Sequence, residues 1–233
     1  MTVLSACQAA MVRLVGRKPQ TVFSSTQQME IEIADLATDV ATDIAGSHDW
    51  RALTTIHTIT GDGSTTNFAL PPDYDRMVLA QRITDANNWL WGYTAAQSLE
   101  EWMLITSSGF TAVTPGWWII LDGQLQFSPA PPASDPARFA YVSKNFGLAA
   151  TGGTPISAFT ADGDTFRIED RLLTLGIIWR WKAQKGLEYA EDLANYEKAF
   201  SEKAARDSGS QAIRKGRPVN YAGTRLAWPW PLG

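Results

Sequence analysis

Residues 168–200 read IEDRLLTLGIIWRWKAQKGLEYAEDLANYEKAF, and the apolar side chains in this stretch follow a helical period. The first set is spaced i, i+4, i+7, i+11 and consists of Ile168, Leu172, Leu175 and Trp179. After Lys185-Gly186 the same spacing returns with Tyr189, Leu193, Tyr196 and Phe200. The pattern predicts two amphipathic helices joined at Gly186, with Asp164 or Thr165 as the cap of the first. Neither helix is long enough to be stable alone, so both must pack against other elements.

The N-terminal region supplies helices against which they can pack. One apolar stripe ends at Gly16 and Pro19 and consists of Leu4, Cys7, Met11 and Leu14. Ser25 followed by Gln28 is a capping-box pattern that predicts the start of a second helix. Its stripe stops near Gly46 and consists of Met29, Ile33, Leu36, Val40 and Ile44. We expect the two C-terminal helices to pack against this stripe.

The other faces of this second helix are acidic. They carry, with no Lys or Arg between them, Glu30, Glu32, Asp35, Asp39 and Asp43. Such a run is typical of a solvated face, and it also fits a surface that repels a polyanion.

After Trp50 the period changes from 3.6 towards 2, which predicts strands. The predicted strands are 54–60, 67–70, 77–84, 117–121, 124–127 and 138–144, with a short aromatic segment at 89–94. Asp122-Gly123 supplies the positive φ angles of a tight type I′ turn and predicts a hairpin between the fourth and fifth of them. A Gly/Thr/Pro-rich stretch, Gly147 to Pro155, is expected to lead out of this β unit.

The predicted fold class is therefore α+β. A helical bundle, formed by the N-terminal helices and the C-terminal helical hairpin, comprises residues 1–50 and 146–207. An antiparallel β unit, residues 51–145, is inserted into it. Residues 208–233 form an extended C-terminal arm.

Composition excludes several classes of protein. The chain has 233 residues, a 45% apolar fraction and a net charge of −4, which is typical of a globular protein and not of one that coats nucleic acid. No apolar run approaches the ~20 residues that span a bilayer. The positive charges near the N-terminus follow the apolar residues, which is the wrong order for a secretory signal. We expect a soluble protein made in a reducing cytoplasm, with its one cysteine, Cys7, as a buried structural thiol.

No catalytic signature is found in the sequence. His48 and His57 lack metal-site spacing, and GxSxG, P-loop and GxGxxG motifs are absent. Asp162-Gly163-Asp164 lacks the full calcium-loop pattern and is interpreted as a turn and helix cap. Glu100-Glu101 lies beside Trp102, so a glycosidase acid next to a sugar-stacking tryptophan remains an open interpretation. The prediction is a protein without enzymatic activity, metal or cofactor.

Ten tryptophans are several times the usual number, and half of them fall within the β unit. Alternate strand residues share a face, so Trp89 and Trp91 point the same way, whereas Trp117 and Trp118 point oppositely. At least one of the latter pair is expected to face out or into another chain. Core packing, carbohydrate stacking and a subunit or tail interface all remain open for these side chains.

Residues 208–233 are broken by glycine and proline and cannot form a core of their own. They combine cations with aromatic side chains, namely Arg214, Lys215, Arg217, Tyr221, Arg225, Trp228 and Trp230. Trp and Arg dominate interface hot spots, so we expect this arm to dock on a protein surface. Nucleic-acid contact and disorder are the alternatives.

The layout resembles that of head-to-tail adaptor (neck or connector) proteins of tailed bacteriophages. LLTLGIIWR at 172–180, KGLEYA at 185–190 and YEKA at 196–199 look like the C-terminal helical hairpin of that family. TGDGSTTNFALP at 60–71 is similar to the strand–turn–strand opening common in phage neck and tail proteins. The resemblance covers most of the chain in outline, and the Trp-rich middle is its least familiar part.

The resemblance implies a structural virion protein at the neck, assembled in the host cytoplasm. Such adaptors form a ring, usually of about twelve copies, beneath the portal, and packaged DNA passes through the lumen without sequence-specific binding. The implied partners are the portal protein, a tail, nozzle or tail-terminator protein, and other copies of the chain, with no membrane. In this picture the arm docks on the portal, the acidic face formed by Asp35, Asp39 and Asp43 lines the DNA channel, and surplus tryptophans are buried between subunits.

Two alternatives belong to other classes. One is a carbohydrate-binding or wall-degrading virion module that uses the Trp-rich β unit as a sugar platform. The other is a tail or baseplate subunit that forms a ring without contacting the portal.

Overall fold

The structure, a computed structural model, describes residues 2–78, 83–85, 92–107 and 116–208. Within these ranges the chain forms five helices: α1 Val3–Val15, α2 Gln28–Ser47, α3 Leu99–Ser107, α4 Asp170–Gln184 and α5 Ala190–Ser208. The strands are β1 Thr54–Thr60, β2 Asn67–Ala69, β3 Tyr74–Met77, β4 Thr84–Asp85, β5 Thr94–Ala95, β6 Trp117–Leu121, β7 Gln124–Ser128, β8 Pro136–Ser143, β9 Gly147–Leu148, β10 Pro155–Ile156 and β11 Thr165–Phe166. The fold class is mixed α+β.

The described chain divides into two compact units. The helical unit comprises residues 2–54 and 142–208, and the β unit comprises the described residues between 55 and 141. The chain passes from one unit to the other within β1 and again within β8, so each of these strands has residues in both units.

Helix α4 is the central element of the helical unit, because α1, α2 and α5 all contact it. Its residues Leu172–Ile178 are buried without interruption, as expected for a helix surrounded on several sides. Gly176 permits the closest approach to α2, because a Cβ at this position would overlap Val40 Cγ1. The prediction that the C-terminal helices pack against α2 is confirmed for α4, and α5 packs on α4.

The C-terminal ends of α1 and α4 lie at the glycines that the sequence predicted. Gly16 and Gly186 both have a positive φ and end α1 and α4. After α4, the Gly186 N–H donates to Ala183 O at 3.1 Å and the Leu187 N–H donates to Lys182 O at 2.9 Å. This pair of bonds is a Schellman motif, which satisfies carbonyls that a helix end otherwise leaves unpaired.

Both predicted N-terminal caps are wrong. Helix α2 begins at Gln28 after Gln27, and the Ser25 hydroxyl accepts a bond from the Gln27 N–H instead of capping the helix. Helix α4 begins only at Asp170, five residues after the last residue proposed as its cap. The intervening chain forms strand β11, because strand β9 offers it an antiparallel partner.

The stretch predicted as a simple exit from the β unit contains a small sheet. Strands β10 and β11 flank β9, and both pairings are antiparallel. Three aromatic rings, Phe146, Phe159 and Phe166, pack edge to face beneath it with centroids 5.2–6.3 Å apart. Their burial gives this loop-rich segment a core of its own.

In the β unit, one sheet has the order β1-β8-β3 with β4 also on β8, and a second has the order β2-β7-β6-β5. Asp122 and Gly123 both have positive φ between β6 and β7, so the predicted hairpin is confirmed. The pairing of β5 with β6 is parallel, which corrects the expectation of a purely antiparallel unit. The predicted strand 77–84 is also corrected: β3 ends at Met77, β4 starts at Thr84, and residues 79–82 lie outside the described part of the chain.

The Gly61–Asp62–Gly63 segment is held by the Asp62 carboxylate. It accepts bonds from the N–H groups of Ser64 and Thr65 at 2.8 and 2.6 Å and from the Thr65 hydroxyl at 2.6 Å. These bonds, led by the Thr65 hydroxyl, lower the pKa of Asp62. Gly61 packs its Cα against the backbone of Pro131 and Pro132, where a side chain has no room.

Candidate assembly surfaces

The acidic face of α2 is less acidic than its sequence suggests. Glu30 is only 1% exposed and pairs with Arg17, which follows Gly16 at the end of α1. A buried carboxylate without a cation would be strongly destabilising, so this pair fixes the loop between α1 and α2. The interpretation of Glu30 as part of a solvated face is wrong.

Two further carboxylates of α2 pair with cations of α4 or its C-terminal end. Lys185 Nζ lies 2.8 Å from Glu32 Oε2, and Arg180 donates to Asp43. The hydrogen bond from Lys185 is the largest cause of a lowered pKa at Glu32. These partners lie more than a hundred residues away in sequence, which is why the helix by itself shows no compensating charge.

Asp35 and Asp39 are the carboxylates of the predicted channel face that stay uncompensated. Both are exposed, and none of the cations that the structure describes pairs with either of them. They lie four residues apart and therefore share one face of α2. Asp43 is exposed next to them, but its charge is offset by Arg180.

The joint between α4 and α5 is built from aromatic rings. The Trp179 ring lies 6.4 Å from Tyr189 and 6.1 Å from Tyr196, and the Arg180 guanidinium lies 5.4 Å from the centroid of the Trp179 ring. Farther along, the Trp50 ring meets Phe200 edge to face at 5.7 Å. These contacts hold α5 against α4 and against the segment that follows α2, even though α5 itself is mostly polar.

Asp162 and Asp164 organise the N-terminal end of α1. Their backbone carbonyls accept bonds from the N–H groups of Leu4 and Val3 at 3.2 and 2.7 Å, which are donors that a helix start leaves unpaired. The Asp162 carboxylate also accepts from the N–H groups of Val22 and Phe23 at 2.9 and 3.1 Å. The predicted turn is therefore present.

The Asp164 carboxylate is 1% exposed and accepts three backbone N–H bonds, from Ala150, Thr160 and Ala161. Burial alone would raise the pKa of Asp164, but these bonds outweigh burial and lower it. Its carboxylate thus closes a loop instead of capping α4.

The tryptophans predicted as interface residues separate into three cases. Trp118 is buried in the core of the β unit among Ile59, Ile83, Tyr93, Leu125, Phe127, Ala137, Phe139 and Tyr141. Trp117 is half-buried and lies on the opposite face of β6, as the alternation predicts. Trp89 and Trp91 lie outside the described residues.

The predicted docking arm also lies outside the described residues. This applies to every residue proposed for it: Arg214, Lys215, Arg217, Tyr221, Arg225, Trp228 and Trp230. The last described stretch before it is well anchored, since the Asp207 carboxylate accepts a bond from the Arg51 N–H at 3.0 Å and lies 3.5 Å from His48 Nε2.

Glu101 and Cys7, two ionisable groups singled out in the sequence, have local roles or surroundings that belong to the fold. Glu101 accepts a bond from the Gln97 N–H at 2.6 Å, and its own N–H donates to the Ser98 hydroxyl at 3.1 Å, so this pair caps α3. Burial raises the pKa of the Cys7 thiol to about 12. In the part of the chain that the structure describes, no cluster of His, Cys, Asp and Glu is arranged to hold a metal ion.

None of the described helices is both long and apolar enough to cross a membrane. A family model described as SU10 adaptor protein matches residues 1–223, which is nearly the whole chain. The chain belongs to the SU10 adaptor protein family. This is a family of phage head-to-tail adaptors, as the helical hairpin and the TGDGSTTNFALP segment indicated. No curated protein matches the chain.

Two surfaces of this SU10 adaptor were not predicted from its sequence. One is the outer face of α3, where Leu99, Met103 and Leu104 are exposed. The other is a groove between α1 and α4 near Ala9 and Leu175. The Ser98-x-x-Glu101 capping box was a signal for the start of α3, whereas the groove depends on tertiary packing and has no local signature.

Proposed function

We propose that this SU10 adaptor assembles as a ring of about twelve copies between the portal and the tail, and that DNA passes through its lumen. The observation that carries the proposal is the family match over residues 1–223. In this role the protein acts by assembly: it extends the DNA channel below the portal and presents a surface for the tail or nozzle protein.

The exposed charge of α2 is consistent with a lumen lining. Salt bridges neutralise the carboxylates at either end of the acidic face, and Asp35 and Asp39 remain as uncompensated charge in the middle of the helix. Repeated around a ring, such a band repels phosphates, so DNA slides past and does not adhere. Asp43 belongs to the same proposed face and contributes less because of Arg180.

We further propose that residues 208–233 dock on the portal. This segment carries Tyr221, Trp228 and Trp230 among four cations, a composition that favours a protein surface. Ordering a segment of this length costs on the order of 1 kcal/mol per residue. Binding must therefore rely on the aromatic anchors and on many arms engaging at once around the ring.

The β unit would then face outward or towards the tail. Of the tryptophans that the structure describes in the β unit, Trp117 is the best placed for such a contact, because it is half-buried on the face of β6 opposite Trp118 and the core. Trp89 and Trp91 belong to the same proposed interface.

Electron microscopy of the adaptor with its cognate portal tests the proposal. The full chain should form a ring on the portal, and a chain cut after Asp207 should stay folded but lose portal binding. This cut preserves the contacts of Asp207 with Arg51 and His48, so the helical unit keeps its anchor. Within the full chain, the double variant Trp228→Ala, Trp230→Ala should weaken binding, whereas Asn220→Ala serves as the matched control. Unchanged portal binding by the shortened chain would refute the docking role of the arm.

A further inference from the structure

Helix α3 presents an apolar face that is unusually exposed. Leu99, Met103 and Leu104 are 54%, 60% and 67% exposed, whereas Trp102, one helical turn after Leu99, is buried. Their spacing of i, i+4 and i+5 places them on one side of the helix. Glu100 is exposed on the same side, so the face combines three apolar side chains with one carboxylate.

The groove between α1 and α4 has the complementary character. A depression of about 240 Å³ lies between α1 and α4, and a second of about 400 Å³ continues it along α1 towards Lys18; the two share Ser5, Ala9 and Arg13. Ala6, Ala9 and Leu175 contribute apolar surface.

The rim of this groove is basic. Its cations are Arg13, Lys18 and Arg171, and its single carboxylate is Asp170. All three cations are exposed, and none of them forms an ion pair within the described part of the chain. The rim therefore carries uncompensated positive charge beside an apolar floor.

We propose that α3 of one copy docks in the α1–α4 groove of a second copy. The apolar residues Met103 and Leu104 lie against the small residues of α1, and Glu100 meets the basic rim near Arg171. The lengths agree: Leu99 to Ser107 and Ser5 to Arg13 each span eight residue steps, about 12 Å along a helix. The mode is that of an amphipathic helix in an apolar groove.

A second copy is the favoured occupant because the chain itself carries both halves of the contact. The two surfaces are different, so the contact is head to tail, and a head-to-tail contact generates a ring when its rotation closes. The inference rests on the proposed function in this one respect, since it names the subunit contact of the proposed ring. A nine-residue helix in a groove offers a limited contact, whereas stable interfaces bury about 1,200–2,000 Å², so closure of the ring must reinforce it.

Charge reversal tests the contact on the full chain. Sedimentation over a concentration series should show self-association of the wild type, and Glu100→Arg or Arg171→Glu should each weaken it by about tenfold or more. An equimolar mixture of the two variants should recover association. When the two variants alternate, Arg at position 100 of one faces Glu at position 171 of the other. The next contact pairs the native Glu100 with the native Arg171.

Glu191→Arg is the matched control, because Glu191 is an exposed glutamate in the first turn of α5. It should leave association unchanged, and circular dichroism should show that all variants are folded. A wild type that stays monomeric at every concentration, or a mixture that fails to recover, would overturn the proposal. Loss of portal binding by Arg171→Glu with unaltered self-association would also overturn it, since the groove would then belong to the portal.

The outcomes separate this inference from the proposed function. A ring on the portal with no recovery in the mixture leaves the adaptor role standing and removes this contact. Recovery in the mixture without any portal binding supports the contact and contradicts the proposed docking role.

Discussion

Replacing Asp164 with alanine should destabilise the helical unit by about 3 kcal/mol. The carboxylate accepts the N–H groups of Ala150, Thr160 and Ala161 at 2.9, 2.7 and 2.9 Å. A hydrogen bond to a charged group contributes about 1.5–3 kcal/mol when it is well buried. Ala150 and Thr160 are exposed residues, so water can replace part of each bond, and about 1 kcal/mol per bond is the appropriate magnitude.

The damage should extend to α1, because the carbonyl of the same residue accepts the Val3 N–H. Asp164→Asn keeps the shape of the side chain but supplies only one acceptor oxygen. Its NH₂ group then faces a backbone N–H donor that the carboxylate oxygen had accepted. We expect this variant to lose about 1–2 kcal/mol. Asp39→Asn is the matched control, since it removes an exposed charge from the same unit and should change stability by less than about 0.5 kcal/mol.

The pH dependence provides an independent check. The pKa of Asp164 is lowered in the folded protein, so its contribution is fully present above the unfolded-state value of about 3.9 and is lost as pH falls through the folded-state value. The difference between the wild type and Asp164→Asn should therefore be constant from neutral pH down to about pH 5 and shrink below about pH 4. Other acidic groups titrate in both proteins and cancel in the difference.

Urea unfolding, followed by circular dichroism at a helix-sensitive wavelength, measures these quantities, because most described helical residues belong to the helical unit. Two results would refute the reasoning. One is a stability of Asp164→Ala within about 0.5 kcal/mol of the wild type. The other is a difference between wild type and Asp164→Asn that persists undiminished at low pH.

Two further predictions concern α2: the first tests its packing against Gly176 of α4, and the second tests its acidic face. Gly176→Ala should lower the free energy of unfolding by about 1–2 kcal/mol, because the new Cβ overlaps Val40 Cγ1 severely, at a cost of about 2–3 kcal/mol, while helix propensity returns about 1 kcal/mol. Val40→Ala in the same chain should recover part of the loss, and a Gly176→Ala variant as stable as wild type in urea would contradict the close approach. Asp35→Lys with Asp39→Lys should hinder DNA retention or ejection by assembled particles without unfolding the protein, with Glu191→Lys as the control. Normal retention and ejection would place this face away from the channel.

Several elements were predictable because their signals are local. The apolar periods of α1, α2, α4 and α5, the glycine that ends α4, and the Asp122-Gly123 hairpin all depend on residues within a few positions of one another. The family resemblance also came from contiguous segments, and the match over residues 1–223 confirms it.

The helix starts show where local signals fail. Ser25-x-x-Gln28 and Ser98-x-x-Glu101 are equally good capping boxes in sequence, yet only the second caps a helix. Around Ser25, the chain is held instead by the Asp162 carboxylate, which binds the N–H groups of Val22 and Phe23. A four-residue pattern contains no information about such a long-range contact.

The sequence by itself determined the α+β class, the presence of the main helices and the family, because hydrophobic period and turn chemistry are properties of neighbouring residues. The tertiary structure alone decided which charges remain on α2. Glu30, Glu32 and Asp43 are neutralised by cations brought from other elements, whereas Asp35 and Asp39 are not. It also decided that β8 pairs with β1, β3 and β4, and that a basic groove opens between α1 and α4. Each of these features joins residues far apart in the chain, and only folding brings such residues within the few ångströms over which they interact.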